Sequence, residues 1–466
     1  MYHSAIAQPR QIRMNAITHV RPPAVAGSFY PADAETLRRE LSRCLGVTTN
    51  ATAPVGASDT ASNKLKALIV PHAGYIYSGV TAGRAYALIV AQRNTIHRVV
   101  LLGPTHRVAV QGIAAPTVDC FSTPLGDIPL DRQAINALAD LPCVVANDAA
   151  HAQEHSLEVH LPFLQTVLGD FSLVPLAVGQ TSVMEVAALI DRLWGGDETL
   201  IVASSDLSHF HTYDEAQQID NDTAEHILKL ELLTSYDQAC GAMPINGLLH
   251  VARRRGMTIA RLAQCNSGDT AGDRARVVGY ASFGLYEPPP IGPVLLANAR
   301  NAIAAHFGGT SSSASHPEFA NLGATFVTLT LDGQLRGCIG SLEAHRALGD
   351  DVRANAASAA FRDPRFKPLT AEEFQRIKVE VSLLTKPSPM QFVNEVDALS
   401  QLRPNIDGII LVAGNLRSTF LPQVWEQIPE PKSFMAHLKQ KAGLPADAWP
   451  EGIKLFRYGV QKWKEA

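Results

Sequence analysis

Short apolar runs set off by polar turns and helical stretches give the first part of the chain its rhythm. Leu68-Ile69-Val70, Val99-Val100-Leu101-Leu102, Leu173 to Val178 and Leu200 to Ala203 each read as a buried strand, because brief β-branched runs closed by turn residues mark strands covered on both faces. Helical patterns lie between them, from Ala82 to Ala91 and from Val183 to Leu193. This alternation is that of βαβ units, and it predicts a largely parallel sheet flanked by helices. Upstream, Asp33 is a candidate N-cap for a helix whose face carries Leu37, Leu41, Cys44 and Leu45, which places Cys44 in the core. Thr48 to Asn63 reads as a flexible loop, and Val277 to Tyr286 as a last strand.

The pattern breaks at Glu287-Pro288-Pro289-Pro290, a stiff linker. Beyond it an amphipathic helix from Val294 to His306 is followed by a Gly/Ser-rich loop from Gly308 to Ser315, and then by two strand-like runs joined by Asp332-Gly333, a strong hairpin signal. Helices and strands then mix irregularly, as in an α+β domain. The expected organisation is a disordered lead over 1–20, an α/β domain over 21–287 with a central sheet flanked by helices, a linker over 288–291, and a smaller α+β domain over 292–466.

Composition narrows the classes. The 466 residues are 46% hydrophobic and 18% charged, as in soluble globular proteins. A net charge of -4 offers no footprint for nucleic acid or an anionic membrane. No apolar run reaches membrane-spanning length and no signal-peptide pattern opens the chain, so a cytoplasmic location is expected. The six cysteines show no close CxxC pairing, so they suggest neither a disulfide framework nor a zinc finger, and any working cysteine is expected to act as a thiolate.

Three of the strand runs each hand over a histidine: His72 after Pro71, His106 after Gly103-Pro104-Thr105, and His209 after Ser204-Ser205-Asp206-Leu207-Ser208. A lone histidine after a strand is usually a hydrogen-bonded turn residue. Three in the same context, at the strand ends where open α/β sheets place their sites, point to chemistry. His72, His106 and Cys240 are candidate metal ligands. Cys240 precedes Gly241 and a helix opening near Pro244, a setting expected to lower its thiol pKa. Two imidazoles and a thiolate suit iron, copper or zinc and leave positions open for a small-molecule substrate. His209 fits an acid/base role, oriented by Asp206 or Ser208, with His211 as a competitor. Asp206 has a plainer reading as the cap of a helix starting near Ser208.

A rival pattern is His151-Ala152-Gln153-Glu154-His155, which matches the H-x-x-E-H of inverted zinc peptidases. On one helix its histidines would share a face, with Glu154 as base, giving a zinc-dependent hydrolase. Leu157, Leu161 and Leu164 explain the same helix as core packing, with Pro162 disturbing it.

The pieces Pro23-Ala24-Val25-Ala26-Gly27-Ser28-Phe29-Tyr30-Pro31, Pro71-His72-Ala73-Gly74-Tyr75, Gly103-Pro104-Thr105-His106, Glu154 to Pro162, Ser204 to His209 and Cys240-Gly241 resemble, in order, the Memo family. Memo proteins are similar to the catalytic subunits of class III extradiol dioxygenases, which use non-haem iron(II) to open catechol rings. The resemblance implies that fold, His72, His106 and Cys240 as metal ligands, and His209 as the acid/base histidine. It implies an iron oxidoreductase acting on a small aromatic molecule, with Fe(II) expected and copper or zinc as the other candidates. One departure stands out: the dioxygenases supply a carboxylate where this chain has Cys240, and a thiolate is softer. A metal-binding or scaffold module without turnover is the reading from a different class.

From about Gly292 the chain resembles the AMMECR-type domain, through Leu335-Arg336-Gly337-Cys338-Ile339-Gly340, Phe361 to Phe366 and Lys378 to Ser382. Arg336 and Cys338 are candidates for a small anion or thiol site beside the plainer reading of a tight glycine-flanked strand, and Arg362 and Arg365 for pairing with acidic neighbours. Chains joining these two domains resemble proteins A and B of the AmmeMemoRadiSam system. Its third member is similar to radical S-adenosylmethionine enzymes, which implies such a partner.

Overall fold

The computed structural model describes residues 19–46, 64–309 and 315–465. Most of the expected lead over 1–20, the loop from Thr48 to Asn63 and the centre of the Gly308 to Ser315 loop fall outside the described residues. The chain divides into two compact units between Pro288 and Pro289.

The first unit is built on a nine-stranded mixed sheet. Its strands are β1 (Lys64–Val70), β2 (Arg98–Pro104), β3 (Ile113–Ala115), β4 (Val144–Ala146), β5 (Ser172–Val178), β6 (Thr199–Ser204), β7 (His209–His211), β8 (Thr258–Asn266) and β9 (Val277–Glu287). They lie in the order β7-β9-β1-β6-β2-β5-β3-β4, with β8 also pairing β9. The centre is parallel: Val70 sits opposite Ser204, and Leu102 opposite Ala203. The antiparallel β9 closes one side against β1. Nearly every central side chain is buried, as the unbroken apolar runs require when helices cover both faces.

The helices of this unit include α1 (Ala34–Leu45), α2 (Tyr75–Leu88), α3 (His155–Glu158), α4 (Leu161–Val167), α5 (Val183–Leu193), α6 (Tyr213–Leu228) and α7 (Ala242–Arg254). Asp33 caps α1 by accepting from the Thr36 N–H at 2.8 Å, and Cys44 is buried. The helix α2 begins at Tyr75, seven residues before the apolar pattern becomes readable, because Gly74 turns the chain directly out of the strand.

The single helix expected through His151 to Leu164 does not form. A turn over Ala149–Ala152 ends at Gln153, and Glu154 swings to extended backbone so that its side chain caps α3 through Ser156. Pro162 then sits in the first turn of α4, where a missing N–H costs nothing.

The second unit carries α8 (Ile291–Ala304), β10 (Thr325–Leu331), β11 (Gln334–Gly340), α9 (Leu348–Phe361), β12 (Ile377–Leu384), β13 (Gly408–Ala413), β14 (Leu416–Phe420), α10 (Pro431–Lys441), β15 (Lys454–Tyr458) and β16 (Val460–Lys464). One sheet runs β11-β10-β12-β16, and a second contains β15-β13-β14. Each has its own buried apolar cluster. The Asp332-Gly333 hairpin is present, with both residues at positive φ, as a tight two-residue turn requires.

Candidate metal centre

The carboxyl ends of β1, β2 and β6 converge with the Glu154 to Glu158 segment and the start of α7. One ring nitrogen from each of His72, His106 and His155 lies within 4.8 Å of the other two. Cys240 stands beside them, its Sγ 3.3 Å from His72 Nε2. The structure groups His72 and His106 with His155, and sets Cys240 against His72. In the sequence His155 stands out only as part of the rival peptidase pattern, because it comes from a crossover and not from a strand end.

Close approach at this point depends on two glycines. A Cβ on Gly103 would come 2.8 Å from Ser156 Oγ, and one on Gly241 would come 2.3 Å from the Ser204 carbonyl. Any side chain at either position would push α3 or α7 off the strand ends.

Glu154 and burial set the state of these rings. Glu154, buried, accepts from the His106 backbone N–H at 2.6 Å, from His106 Nδ1 at 2.9 Å and from the Ser156 N–H at 2.9 Å. Since a carboxylate only accepts, His106 Nδ1 carries the proton of this hydrogen bond, and Nε2 is the ring nitrogen left for an ion. These donors hold the Glu154 carboxyl down at about 2 against its burial. His155 Nδ1 is buried without a hydrogen-bond partner, 3.3 Å from Glu154 Oε1, and burial pushes its pKa to about 4. Phe29 covers this ring at 4.7 Å between centroids. Burial drives His72 well below the usual imidazole range. Three clustered imidazoles, one with an orphaned buried nitrogen, next to a thiol fit a borderline-soft divalent ion.

The environment of Cys240 reverses one expectation. Burial, reinforced by the nearby Asp206 carboxyl, pushes the thiol up to about 12, outweighing the Gly241 N–H that favours the thiolate. The opening of α7 is too deeply buried for the helix end alone to ionise it.

Asp206 caps no helix. It accepts from the His72 backbone N–H at 2.7 Å, and burial raises its carboxyl to about 7. Nor does it orient His209, whose Nδ1–H donates to the Leu207 carbonyl at 2.8 Å, leaving Nε2 bare. Burial lowers the His209 pKa, so the ring is neutral near pH 7. Phe210, at φ 62°, forms a bulge in β7 between His209 and His211. A cavity of about 580 Å³ is lined by His106, His209, His211 and Cys240 together with Val110 and Met243.

His151 lies elsewhere. Its Nε2 donates to the Ala114 carbonyl at 3.0 Å, and its ring packs edge-on against Phe121. The break at Glu154 therefore separates the two histidines of the peptidase pattern into different roles.

In the second unit Arg336 is paired with Glu373 at 2.9 Å, and Arg365 with Asp363 at 2.7 Å. Asp363 also accepts from the Cys338 N–H at 2.8 Å. These side chains hold the strand β11 to the loop that follows α9 and to the helical turn Ala371–Phe374 beyond it.

Comparison with known proteins places this architecture. Residues 21–284 match the family model described as Memo-like protein, and residues 296–463 match that described as AMMECR1. A MEMO1 family protein of Ignicoccus hospitalis is 37% identical over 283 residues, covering 56% of this chain and 97% of the relative. Another from Methanosarcina acetivorans is 36% identical over 284 residues, covering 57% of this chain and 98% of the relative. Among solved structures, an uncharacterized protein from Pyrococcus horikoshii is 31% identical, covering 37% of this chain and 91% of its own, with a TM-score of 0.32. With more than half of its length matched, the chain belongs to the Memo-like protein family and carries an AMMECR1 domain after it.

Proposed function

We propose that the Memo-like unit is an iron-dependent, dioxygenase-like redox enzyme acting on a small aromatic molecule. The observation that carries this reading is the cluster of His72, His106 and His155 with Cys240 beside His72, of which His106 and Cys240 line a cavity of about 580 Å³ that also holds His209. Iron(II) held there would supply a redox-active Lewis acid to substrate in the cavity. The protein's own contribution is to gather three imidazoles at one point and to bury His72 away from water. His209, neutral and with Nε2 bare, takes a proton from a substrate hydroxyl. Val110 and Met243 give an aromatic ring an apolar surface to lie on. Cooperation with a radical S-adenosylmethionine enzyme is part of the same proposal, and it rests on the two-domain resemblance alone.

The test is metal analysis of protein purified without air, followed by oxygen uptake with a panel of catechols. Stoichiometric iron and catechol-dependent uptake, lost in His209→Gln with iron retained, is the expected result. Stoichiometric iron with no uptake across the panel would replace this reading with metal sequestration.

A further inference from the structure

From His72 a chain of fully buried polar side chains runs behind the candidate metal ligands, and its members beyond His72 take no part in the proposed chemistry. His72 Nδ1 lies 2.6 Å from Ser204 Oγ, which lies 2.8 Å from His160 Nε2. His160 Nδ1 in turn lies 2.8 Å from the Tyr86 hydroxyl, and Ser204 Oγ is also 2.6 Å from the Ser156 carbonyl oxygen. His72, Ser204, His160 and Tyr86 are each no more than 1% exposed.

The protons in this chain can be counted. Two oxygens 2.6 Å apart need a proton between them, and only the Ser204 hydroxyl has one to give to the Ser156 carbonyl. The Ser204 oxygen then has only lone pairs left, so both ring nitrogens that touch it must donate. His160 accordingly carries its proton on Nε2, and its bare Nδ1 accepts from the Tyr86 O–H. His72 carries its proton on Nδ1, and its Nε2 is left as an acceptor facing the Cys240 thiol at 3.3 Å.

We propose that Ser204, held in place by His160 and Tyr86, is a positioning residue that selects the tautomer of His72 and so prepares Nε2 as a ligand before any metal arrives. This inference rests on the metal reading above. The arrangement is a static one and not a proton exit: it ends at Tyr86, fully buried and stacked on Phe163 at 5.1 Å.

The test combines tautomer and affinity in the full chain. In metal-free protein labelled with ¹⁵N-histidine, the His72 signal, identified by its loss in His72→Gln, should show the proton on Nδ1. Iron(II), titrated anaerobically, should bind Ser204→Ala about 10–100-fold more weakly than wild type, as for other partners that orient a ligand. Tyr86→Phe, one atom smaller and two residues removed, should show a smaller loss and a mixed His72 tautomer. A proton on Nε2 of His72 in wild type, or folded Ser204→Ala with wild-type iron affinity, would overturn the proposal. If Ser204→Ala does not fold, the wild-type tautomer and Tyr86→Phe decide. Wild type that binds no iron removes the metal reading, and the tautomer still decides the role of Ser204.

Discussion

Glu154 grips His106 twice: one carboxylate oxygen takes the backbone N–H at 2.6 Å and the other takes the ring Nδ1–H at 2.9 Å. The same residue opens α3, which carries His155. One buried carboxylate therefore sets the position of two of the three clustered histidines. Glu154→Gln retains the shape but turns one acceptor into a donor facing another donor. We expect this variant to fold and to bind iron(II) about 10–100-fold more weakly, measured by anaerobic titration. Unchanged affinity would show that Glu154 serves α3 alone.

The ligands themselves separate the readings of the cluster. His106→Ala and His155→Ala should each abolish stoichiometric iron, whereas Cys240→Ser should lower affinity and alter metal preference away from soft ions. Inductively coupled plasma analysis of the three variants checks this. Full metal content in His155→Ala would return the site to His72, His106 and Cys240.

Gly241 tests the packing that brings α7 to the end of β6. Gly241→Ala forces a Cβ to 2.3 Å from the Ser204 carbonyl. We expect a loss of about 1–3 kcal/mol in urea unfolding, as for other overpacked interiors. Wild-type stability would mean that α7 can slide without cost.

Lys66 gives the fold a pH signature far from the site. It is 2% exposed, donates to the Gly196 and Thr199 carbonyls at 2.6 and 2.8 Å, and burial pulls its pKa from 10.5 to about 8. Between those two values the unfolded chain holds a proton that the folded chain has released, so raising the pH favours the folded state. Below about pH 8 both states are protonated and this group adds no slope. Wild type should therefore gain stability relative to Lys66→Met as the pH rises from 8 to 10, read by urea unfolding of both. A constant difference would show that the two carbonyls keep the ammonium charged.

Much of this molecule was legible from local pattern. The runs at β1, β2, β5 and β6, the helix Val183–Leu193 and the Asp332-Gly333 hairpin announce themselves because burial on both faces and turn geometry each demand particular residue types. His72 and His106 could be found for the same reason: they follow strands, and strand ends meet at one edge of a parallel sheet.

What the tertiary structure alone decided are the meetings between segments remote in sequence. His155 joins His72 and His106 because Glu154 leaves the helix to hold His106, 48 residues away, an exchange that helical periodicity cannot register. The high thiol pKa of Cys240 follows from how deeply α7 is buried, not from the helix start that the sequence displays. The proton on His72 is set by Ser204, which reaches it only because Val70 and Ser204 lie side by side in neighbouring strands. The sequence by itself determined which segments form strands and which residues could do chemistry. Their protonation, orientation and grouping arise from long-range burial and hydrogen bonding, which exist only once the sheet has closed.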